Sequence, residues 1–256
     1  QRSTGRGNRF STGYLPGCQL NMRALGTWIG KPAEISSGSM EALKWLAVLL
    51  MTLDHVNLHL LNSAHPWMFI AGRLSWPLFA WVLASNLARN RQHDPRLALR
   101  VLGRLLPCMV IAELPYRALN YAEFGFLPLN ILFTLGTGVA IIALLESHRR
   151  FRLVLAILFF SLSGPFIDYG WAGSSLLISI WFFLRAPGFL RILPLLAAMV
   201  ALSSVNTNSW AYAAALPLLL AMNFQIAIPR LRNALYLYYP VHLAVIVILQ
   251  LTLFVA

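Results

Sequence analysis

The chain has 256 residues, of which 59% are hydrophobic and only 11% are charged, and its formal net charge is +12. A soluble domain of this composition would lack the polar surface needed to cover it, so the composition excludes an ordinary globular fold and favours a multi-pass membrane protein. The length allows one helical bundle but no second domain of any size. Cys18 and Cys108 lie in different segments, so a disulfide framework is not expected.

The first 40 residues differ in composition from the rest of the chain. They are rich in Gly, Ser, Thr and Arg, and they lack the apolar core of a signal peptide, which is about 7–15 residues long. Met40 stands directly before the first apolar run. We expect residues 1–40 to be a basic, disordered cytoplasmic tail, or a segment foreign to the native protein, and residues 41–256 to form the transmembrane domain.

Apolar runs separated by turn residues or charges predict an all-α membrane bundle of about nine transmembrane helices. The predicted spans are 42–62, 67–88, 98–119, 129–146, 152–167, 169–184, 190–204, 209–227 and 233–254. The fifth, sixth and seventh spans are short for a membrane crossing, so they could be less tilted, re-entrant or internal to the bundle.

The basic residues predict the orientation of these spans. Lys and Arg concentrate in the tail and in every second connection, and only Arg73 and Arg117 depart from this pattern. The positive-inside rule then places the N-terminus in the cytoplasm and the C-terminus outside. Topology and attraction to anionic membrane lipids account for the charge of +12, so no nucleic-acid partner is expected.

Ionisable side chains interrupt the first two spans. Asp54 and His55 lie in the first span and Arg73 in the second. A charge at the bilayer centre costs on the order of 3 kcal/mol or more, so it is usually retained for a partner or a function. Adjacent helix residues point about 100° apart, so Asp54 is better placed to pair with Arg73 than to orient His55. An ion pair that only fixes helix packing is the alternative interpretation.

The unusual polar residues converge on the outer half of the predicted bundle when depth is counted along each span at about 1.5 Å per residue. They are His55, Arg73, Glu113, Arg117, Asn130, Asp168, Tyr169 and His242. Glu113 and Arg117 are spaced i, i+4 and are expected to pair. Such a cluster of titratable groups in a pocket is a candidate functional site.

Histidine among carboxylates and arginines suits general acid–base chemistry. The pattern fits acyl transfer to an amine or hydroxyl, and it also fits the proton relay of a transporter. His55 and His59 have the i, i+4 spacing of zinc ligands on a metalloprotease helix. Val56 stands where that motif has glutamate, so no metal site is predicted.

Several motifs resemble the TraX family of membrane proteins, which N-acetylate conjugative pilin. They are LKWLAVLLMTLDHVNL at 43–58, WMFIAGRLSWPLFAWVLASNLAR at 67–89, NILF at 130–133, GPFIDYGWAG at 164–173 and YYPVHLAVIVIL at 238–249. Asp168 and Trp171 depart from the family's Ser/Thr-Tyr-Gly-Ile-Ala-Gly segment. The similarity extends over nearly everything from Met40 onward. TrbP-type conjugation proteins share these motifs, and the last one also resembles broader families of integral-membrane acyltransferases.

The resemblance implies transfer of acetyl from acetyl-CoA to the α-amine of a pilin subunit in the bacterial inner membrane. The positions that match the family motifs are Asp54, His55, Arg73, Asn130, Tyr169, Gly170 and His242. We expect His55 to accept the proton of the attacking amine, and Arg73 or Asn130 to stabilise the oxyanion. The expected partners are pilin, lipid and other membrane proteins of the conjugation machinery.

Acetyl-CoA is large and anionic, so it should approach from the basic cytoplasmic side. The nearest cations for its phosphates are Arg89, Arg91, Arg96 and Arg100. Membrane anchoring explains these arginines equally well. Three alternative functions stay open: a scaffold for pilin assembly, a proton-linked transporter, and a TrbP-like protein that modifies pilin differently or acts on another substrate. The halves of the chain show no convincing self-similarity, which disfavours a transporter.

Overall fold

The structure is a computed structural model that describes residues 35–90, 94, 96–147, 149–229, 231 and 234–254. These residues form an all-helical protein. The helices are α1 Ser37–His59, α2 Pro66–Gly72, α3 Ser75–Asn90, α4 Leu97–Phe124, α5 Ile131–Leu145, α6 Arg150–Ser163, α7 Gly170–Arg185, α8 Phe189–Asn206, α9 Ala215–Asn223 and α10 Ala234–Phe254. Short 3-10 helices at Gly164–Phe166 and Trp210–Ala214 precede α7 and α9. Residues 1–34 of the predicted tail lie outside the described residues, and so does Arg91.

Each predicted span corresponds to one helix or to two consecutive helices, so the all-α fold is confirmed. Three segments are long and apolar enough to cross a membrane by length and composition: Pro66–Asn90, Phe189–Asn206 and Ala234–Leu253. The segments Ile131–Leu145 and Trp210–Asn223 are apolar but shorter. The second predicted span is interrupted, because α2 ends at Gly72 and α3 begins at Ser75.

Helix α7 lies at the centre of the packing, where it contacts α3, α5 and α8, while α4 packs against α5 and α10. Small residues allow these close approaches. Gly138 of α5 faces the side chain of Leu177, and a Cβ there would lie 2.5 Å from the Leu177 Cδ2 atom. Helix α6 instead exposes many large apolar side chains, including Phe151 and Leu158. A bundle that is apolar on its outer surface suits a lipid environment.

The start of α1 is tied to the connection between α9 and α10. Ser36 caps α1, because its Oγ accepts a hydrogen bond from the Ser39 backbone N–H at 3.1 Å. Ser39 Oγ donates to the Phe224 carbonyl at 2.8 Å, and Glu41 Oε1 accepts from the Leu231 N–H at 3.2 Å. These bonds fix the helix that carries Asp54 and His55 relative to the chain that leads into α10.

Candidate active site

A cavity of about 560 Å³ lies between α1, α3, α4, α5 and α10. Its lining residues have different chemistry at its two ends. The basic end has four cationic side chains, Lys44, Arg89, Arg100 and Arg104, and two carboxylates, Glu41 paired with Lys44 and Asp94 paired with Arg100, so four positive and two negative charges give it a net charge of about +2. The polar end has Asp54, His55, Tyr116, Asp168, Tyr169 and Tyr239. The mostly apolar wall between them includes Met51, Phe79 and Leu105.

His55 and His242 meet at the polar end through their ring nitrogens. His55 Nδ1 lies 2.8 Å from His242 Nε2, and the two rings are stacked with their centroids 5.1 Å apart. His242 Nδ1 lies 3.1 Å from the carbonyl oxygen of Tyr238. A carbonyl only accepts, so His242 Nδ1 carries the hydrogen and the Nε2 of neutral His242 accepts from His55. His55 therefore keeps an unprotonated Nε2.

Contacts with Tyr238 and Tyr239 hold the His242 ring against His55, outside the cavity lining. His242 is buried, and it does not line the cavity as His55 does. The Tyr238 ring stacks on His242 with centroids 5.2 Å apart, and the Tyr239 ring contacts it edge-on at 5.2 Å. The Tyr238 hydroxyl lies 2.8 Å from Thr52 Oγ1 on α1. These contacts join the first and the last helix at the level of the histidine pair.

The predicted pairing of Asp54 with Arg73 is confirmed. Arg73 Nη2 donates to Asp54 Oδ2 at 2.5 Å, and Nη1 donates to Asn206 Oδ1 at 3.4 Å. The guanidinium also lies over the Phe69 ring, 4.4 Å from its centroid. Asp54 lines the cavity, whereas Arg73 lies behind it in the second layer of side chains. A molecule bound in the cavity would therefore meet the Asp54 carboxylate before the Arg73 guanidinium.

Gly72 allows the close approach of this ion pair. It is the last residue of α2, directly before Arg73. A Cβ at Gly72 would lie 2.4 Å from the Asp54 Cβ and 2.7 Å from Asp54 Oδ2. No side chain larger than hydrogen fits there without displacing Asp54, which is a steric reason for glycine directly before Arg73.

Asn130 does not contact the cavity. It is completely buried and caps α5, with its Oδ1 accepting from the Leu132 N–H at 3.0 Å. Its Nδ2 donates to the Met109 carbonyl at 3.0 Å and to Glu113 Oε2 at 2.6 Å. Both side-chain donors are used, so the structure provides no free Asn130 donor for the expected oxyanion. Asn130 is a positioning residue that joins α4 to α5.

The predicted pair of Glu113 and Arg117 is confirmed and belongs to the same network. Arg117 Nε donates to Glu113 Oε1 at 2.6 Å. The other guanidinium nitrogens donate to the carbonyls of Gly125 and Pro128 at 2.6 and 2.9 Å. The network fixes the connection between α4 and α5, and neither residue lines the cavity.

Asp168 and Tyr169 reach the cavity from the connection between α6 and α7. The Asp168 N–H donates to the Leu129 carbonyl at 3.0 Å, and its carbonyl accepts from Thr134 Oγ1 at 2.5 Å. Tyr169 has φ 56° and ψ 2°, a left-handed conformation that costs on the order of 1–3 kcal/mol in a non-glycine residue. Its ring stacks on Trp76 with centroids 5.7 Å apart. Burial raises the pKa of the Asp168 carboxyl to about 6.

At the basic end, Arg89 and Arg100 line the cavity as two of the four predicted phosphate ligands, and Arg96 does not. Arg89 Nη1 donates to the Ile35 carbonyl at 2.8 Å, and Arg100 pairs with Asp94. Arg104, which is not among the predicted phosphate ligands, also lines the cavity. Its i, i+4 spacing from Arg100 on α4 is a signal that could have identified it.

Comparison with known proteins identifies the family of the chain. The family model described as TraX protein matches residues 39–250. Protein TraX of Escherichia coli is 33% identical over 178 residues, which are 68% of each chain. The probable fimbrial assembly protein FimC, serogroup H1, of Dichelobacter nodosus is 29% identical over 234 residues, 80% of this chain and 92% of the relative. No solved structure matches. The chain therefore belongs to the TraX family.

Proposed function

We propose that this protein is an acetyltransferase of the bacterial inner membrane that moves acetyl from acetyl-CoA to the N-terminal amine of a pilin subunit. The cavity is the observation that carries the proposal, because it has cations at one end and His55 at the other. Its volume of about 560 Å³ lies within the range of about 300–1,000 Å³ typical of small-molecule sites. A long anionic thioester bound along it would place its phosphates and its acetyl group at opposite ends.

The basic end would bind the phosphates of CoA. Arg89, Arg100 and Arg104 line the cavity there, and arginine forms strong, directional hydrogen bonds to phosphate oxygens. The pantetheine arm would follow the mostly apolar wall toward His55. Arg91 stays a prediction because it lies outside the described residues.

The polar end would carry out the chemistry. The amine nitrogen attacks the thioester carbonyl carbon, and His55 Nε2 accepts the proton of the attacking amine. The carbon–sulfur bond then breaks, and His55 returns the proton to the departing thiolate. His242 orients His55 and stabilises its protonated form. Because both Asn130 donors are used, Arg73 is the one of the two predicted oxyanion groups that remains, and its pairing with Asp54 partly neutralises its charge.

We propose further that the chain crosses the membrane nine times with its N-terminus in the cytoplasm. Among the described residues, the exposed Trp and Tyr side chains are Trp67, Trp171, Trp210 and Tyr212. All of them lie next to connections that the distribution of Lys and Arg assigns to the outside. Tryptophan and tyrosine favour the membrane–water interface, so their positions support this orientation. The basic end of the cavity would then open toward the cytoplasm, where acetyl-CoA is available.

The names of the relatives support a pilus-related substrate. One relative is called a probable fimbrial assembly protein. The same name favours a second candidate function, a scaffold that holds pilin subunits in the membrane without modifying them. A scaffold would tolerate loss of the His55 side chain as long as the bundle folds.

Intact-mass spectrometry of the cognate pilin tests the proposal. Pilin from cells that lack the gene should weigh less than wild-type pilin by the mass of one acetyl group. The wild-type gene should restore the mass, and a His55→Ala variant that is inserted at the same level should not. An unchanged pilin mass together with impaired pilus assembly would support the scaffold instead.

A further inference from the structure

The charges at the polar end of the cavity leave one carboxylate without a cationic partner. Asp54 is paired with Arg73 at 2.5 Å, and Glu113 is paired with Arg117 outside the cavity. Among the described residues, Asp168 forms no ion pair, although Arg73 is near enough to act on it electrostatically. With the two bridged histidines neutral, the lining of the polar end together with Arg73 carries a net charge of about −1 above the pKa of Asp168.

Three tyrosines line the same end of the cavity as this carboxylate. Tyr116, Tyr169 and Tyr239 line the same end of the cavity, and each is close enough to Asp168 for electrostatic interaction. The Trp76 ring stacks on Tyr169. Carboxylates among aromatic rings suit ammonium groups, because the face of each ring attracts a cation and the carboxylate neutralises it.

The fold does not require the charge of Asp168. Its Oδ1 accepts from the Tyr169 N–H at 2.9 Å, and its backbone carbonyl accepts from Thr134 Oγ1. An asparagine would keep both acceptors. The negative charge is therefore available for a molecule bound in the cavity.

We propose that Asp168 binds the ammonium group of the acceptor, which makes a primary amine presented as a cation the substrate class of the polar end. This inference rests on the acetyltransferase function proposed above. The position of Asp168 in the connection assigned to the outside suits a substrate that enters from the side opposite acetyl-CoA.

The proton balance of the reaction requires a group that accepts the first proton of the ammonium, and Asp168 has this second role. An ammonium group cannot attack a thioester, so it first passes one proton to the Asp168 carboxylate. The neutral amine attacks the carbonyl carbon and the carbon–sulfur bond breaks. The second proton moves from nitrogen to His55 Nε2 and then to the CoA sulfur, while the proton on Asp168 leaves to water. The products are an amide, free CoA and one released proton.

The test uses the full chain in lipid nanodiscs, with acetyl-CoA and a synthetic peptide that carries the N-terminal sequence of the cognate pilin. We expect Asp168→Asn to raise the KM for the peptide about 10-fold or more, because a hydrogen-bonded charge pair is lost. The KM for acetyl-CoA should not change. Asp168→Glu, which keeps the charge, should recover part of the peptide affinity. An Asp168→Asn enzyme with an unchanged peptide KM would overturn the inference and leave the acetyltransferase function standing.

A binding measurement shows whether the ammonium site or the acetyltransferase function is wrong. Without acetyl-CoA, the wild-type protein should bind the free-amine peptide, fluorescently labelled at its C-terminus, more tightly than the same peptide with an acetylated N-terminus. Asp168→Asn should lose this preference. If the preference is present but no acetyl is transferred, the ammonium site stands and the acetyltransferase function fails. If the wild-type protein shows no preference, the ammonium site is wrong.

Discussion

His55 Nδ1 and His242 Nε2 lie 2.8 Å apart although 187 positions separate the two residues in the sequence. The contact determines which nitrogen of His55 faces the cavity, because His242 Nδ1 donates to the Tyr238 carbonyl and leaves Nε2 as an acceptor. A base with an orienting partner is the arrangement used by nucleophile-activating triads, here with histidine in the place of the orienting carboxylate.

Replacing the proposed base should abolish most of the activity. We expect His55→Ala to lower kcat for acetyl transfer by about 10²–10⁴-fold, the usual contribution of general acid–base catalysis. His242→Ala should lower kcat less, because the base remains but loses its orientation. His59→Ala is the matched control, since His59 lies one turn further along α1 and does not line the cavity. Equal kcat values for His55→Ala and His59→Ala would rule out His55 as the base.

The Asp54–Arg73 pair should show strong coupling in stability. Asp54→Asn or Arg73→Gln alone leaves one buried charge without its partner, which costs about 3–5 kcal/mol. The double variant removes both charges and should unfold nearer to the wild-type temperature than either single variant. The unfolding temperatures of the wild type, the two single variants and the double variant, measured on purified protein in detergent, give the coupling between the two residues. Additive effects of the two substitutions would contradict the buried pair.

A methyl group at Gly72 should disturb the same pair. Gly72→Ala places a Cβ where Asp54 lies, so we expect a lower unfolding temperature and reduced acetyl transfer. Gly103→Ala is the control, because a Cβ at this helical glycine meets nothing within 4 Å. That control should be neutral or should stabilise by up to about 1 kcal/mol. Similar losses in both variants would show that the effect is not specific to the contact with Asp54.

The arginines of the basic end should determine the affinity for acetyl-CoA. We expect Arg104→Ala to raise the KM for acetyl-CoA about 10-fold while kcat stays near the wild-type value, because a charge-assisted hydrogen bond to phosphate is lost. Arg152→Ala removes a cation that is assigned to the same side of the membrane but is absent from the cavity lining. If both variants behave alike, the arginines serve only as membrane anchors.

The orientation can be measured with single cysteines introduced into a background in which Cys18→Ser and Cys108→Ala remove both native thiols. Ala64→Cys and Ser209→Cys lie in connections assigned to the outside, and both positions are exposed. A membrane-impermeant maleimide added to intact spheroplasts should label them. Ala186→Cys is exposed in a connection assigned to the cytoplasm and should react only after the membrane is permeabilised. The opposite labelling pattern would show that the chain has the reverse of the proposed topology.

Much of the fold could be predicted because lipid imposes simple rules on a sequence. Apolar runs located the helices, and the cost of buried charge led to the pairs Asp54–Arg73 and Glu113–Arg117. The break before Ser75 was not predicted, although Pro77 lacks the N–H that would bond the Arg73 carbonyl and so gave a signal within the span. Nothing within residues 67–88, by contrast, shows that Asp54 occupies the space beside Gly72. Such a contact depends on the packing of another helix.

Site residues were harder to assign than helices. Asn130 matches a family motif, yet its side chain is used entirely in capping α5 and holding α4. The contact between His55 and His242 requires the relative rotation of α1 and α10, which hydropathy does not encode. Tyr238 lies one turn before His242, so its contact with that ring could have been anticipated from the i, i+4 spacing.

The histidine pair also bears on how the protein is made. His55 belongs to the first described helix and His242 to the last, so the ribosome synthesises His55 well before the second half of the proposed catalytic centre, His242. A nascent chain halted before α10 would lack the partner of His55 even if the preceding helices had already entered the bilayer. Competence for the reaction thus requires the insertion of α10, and premature stop codons upstream of His242 should be as damaging as loss of His55 itself.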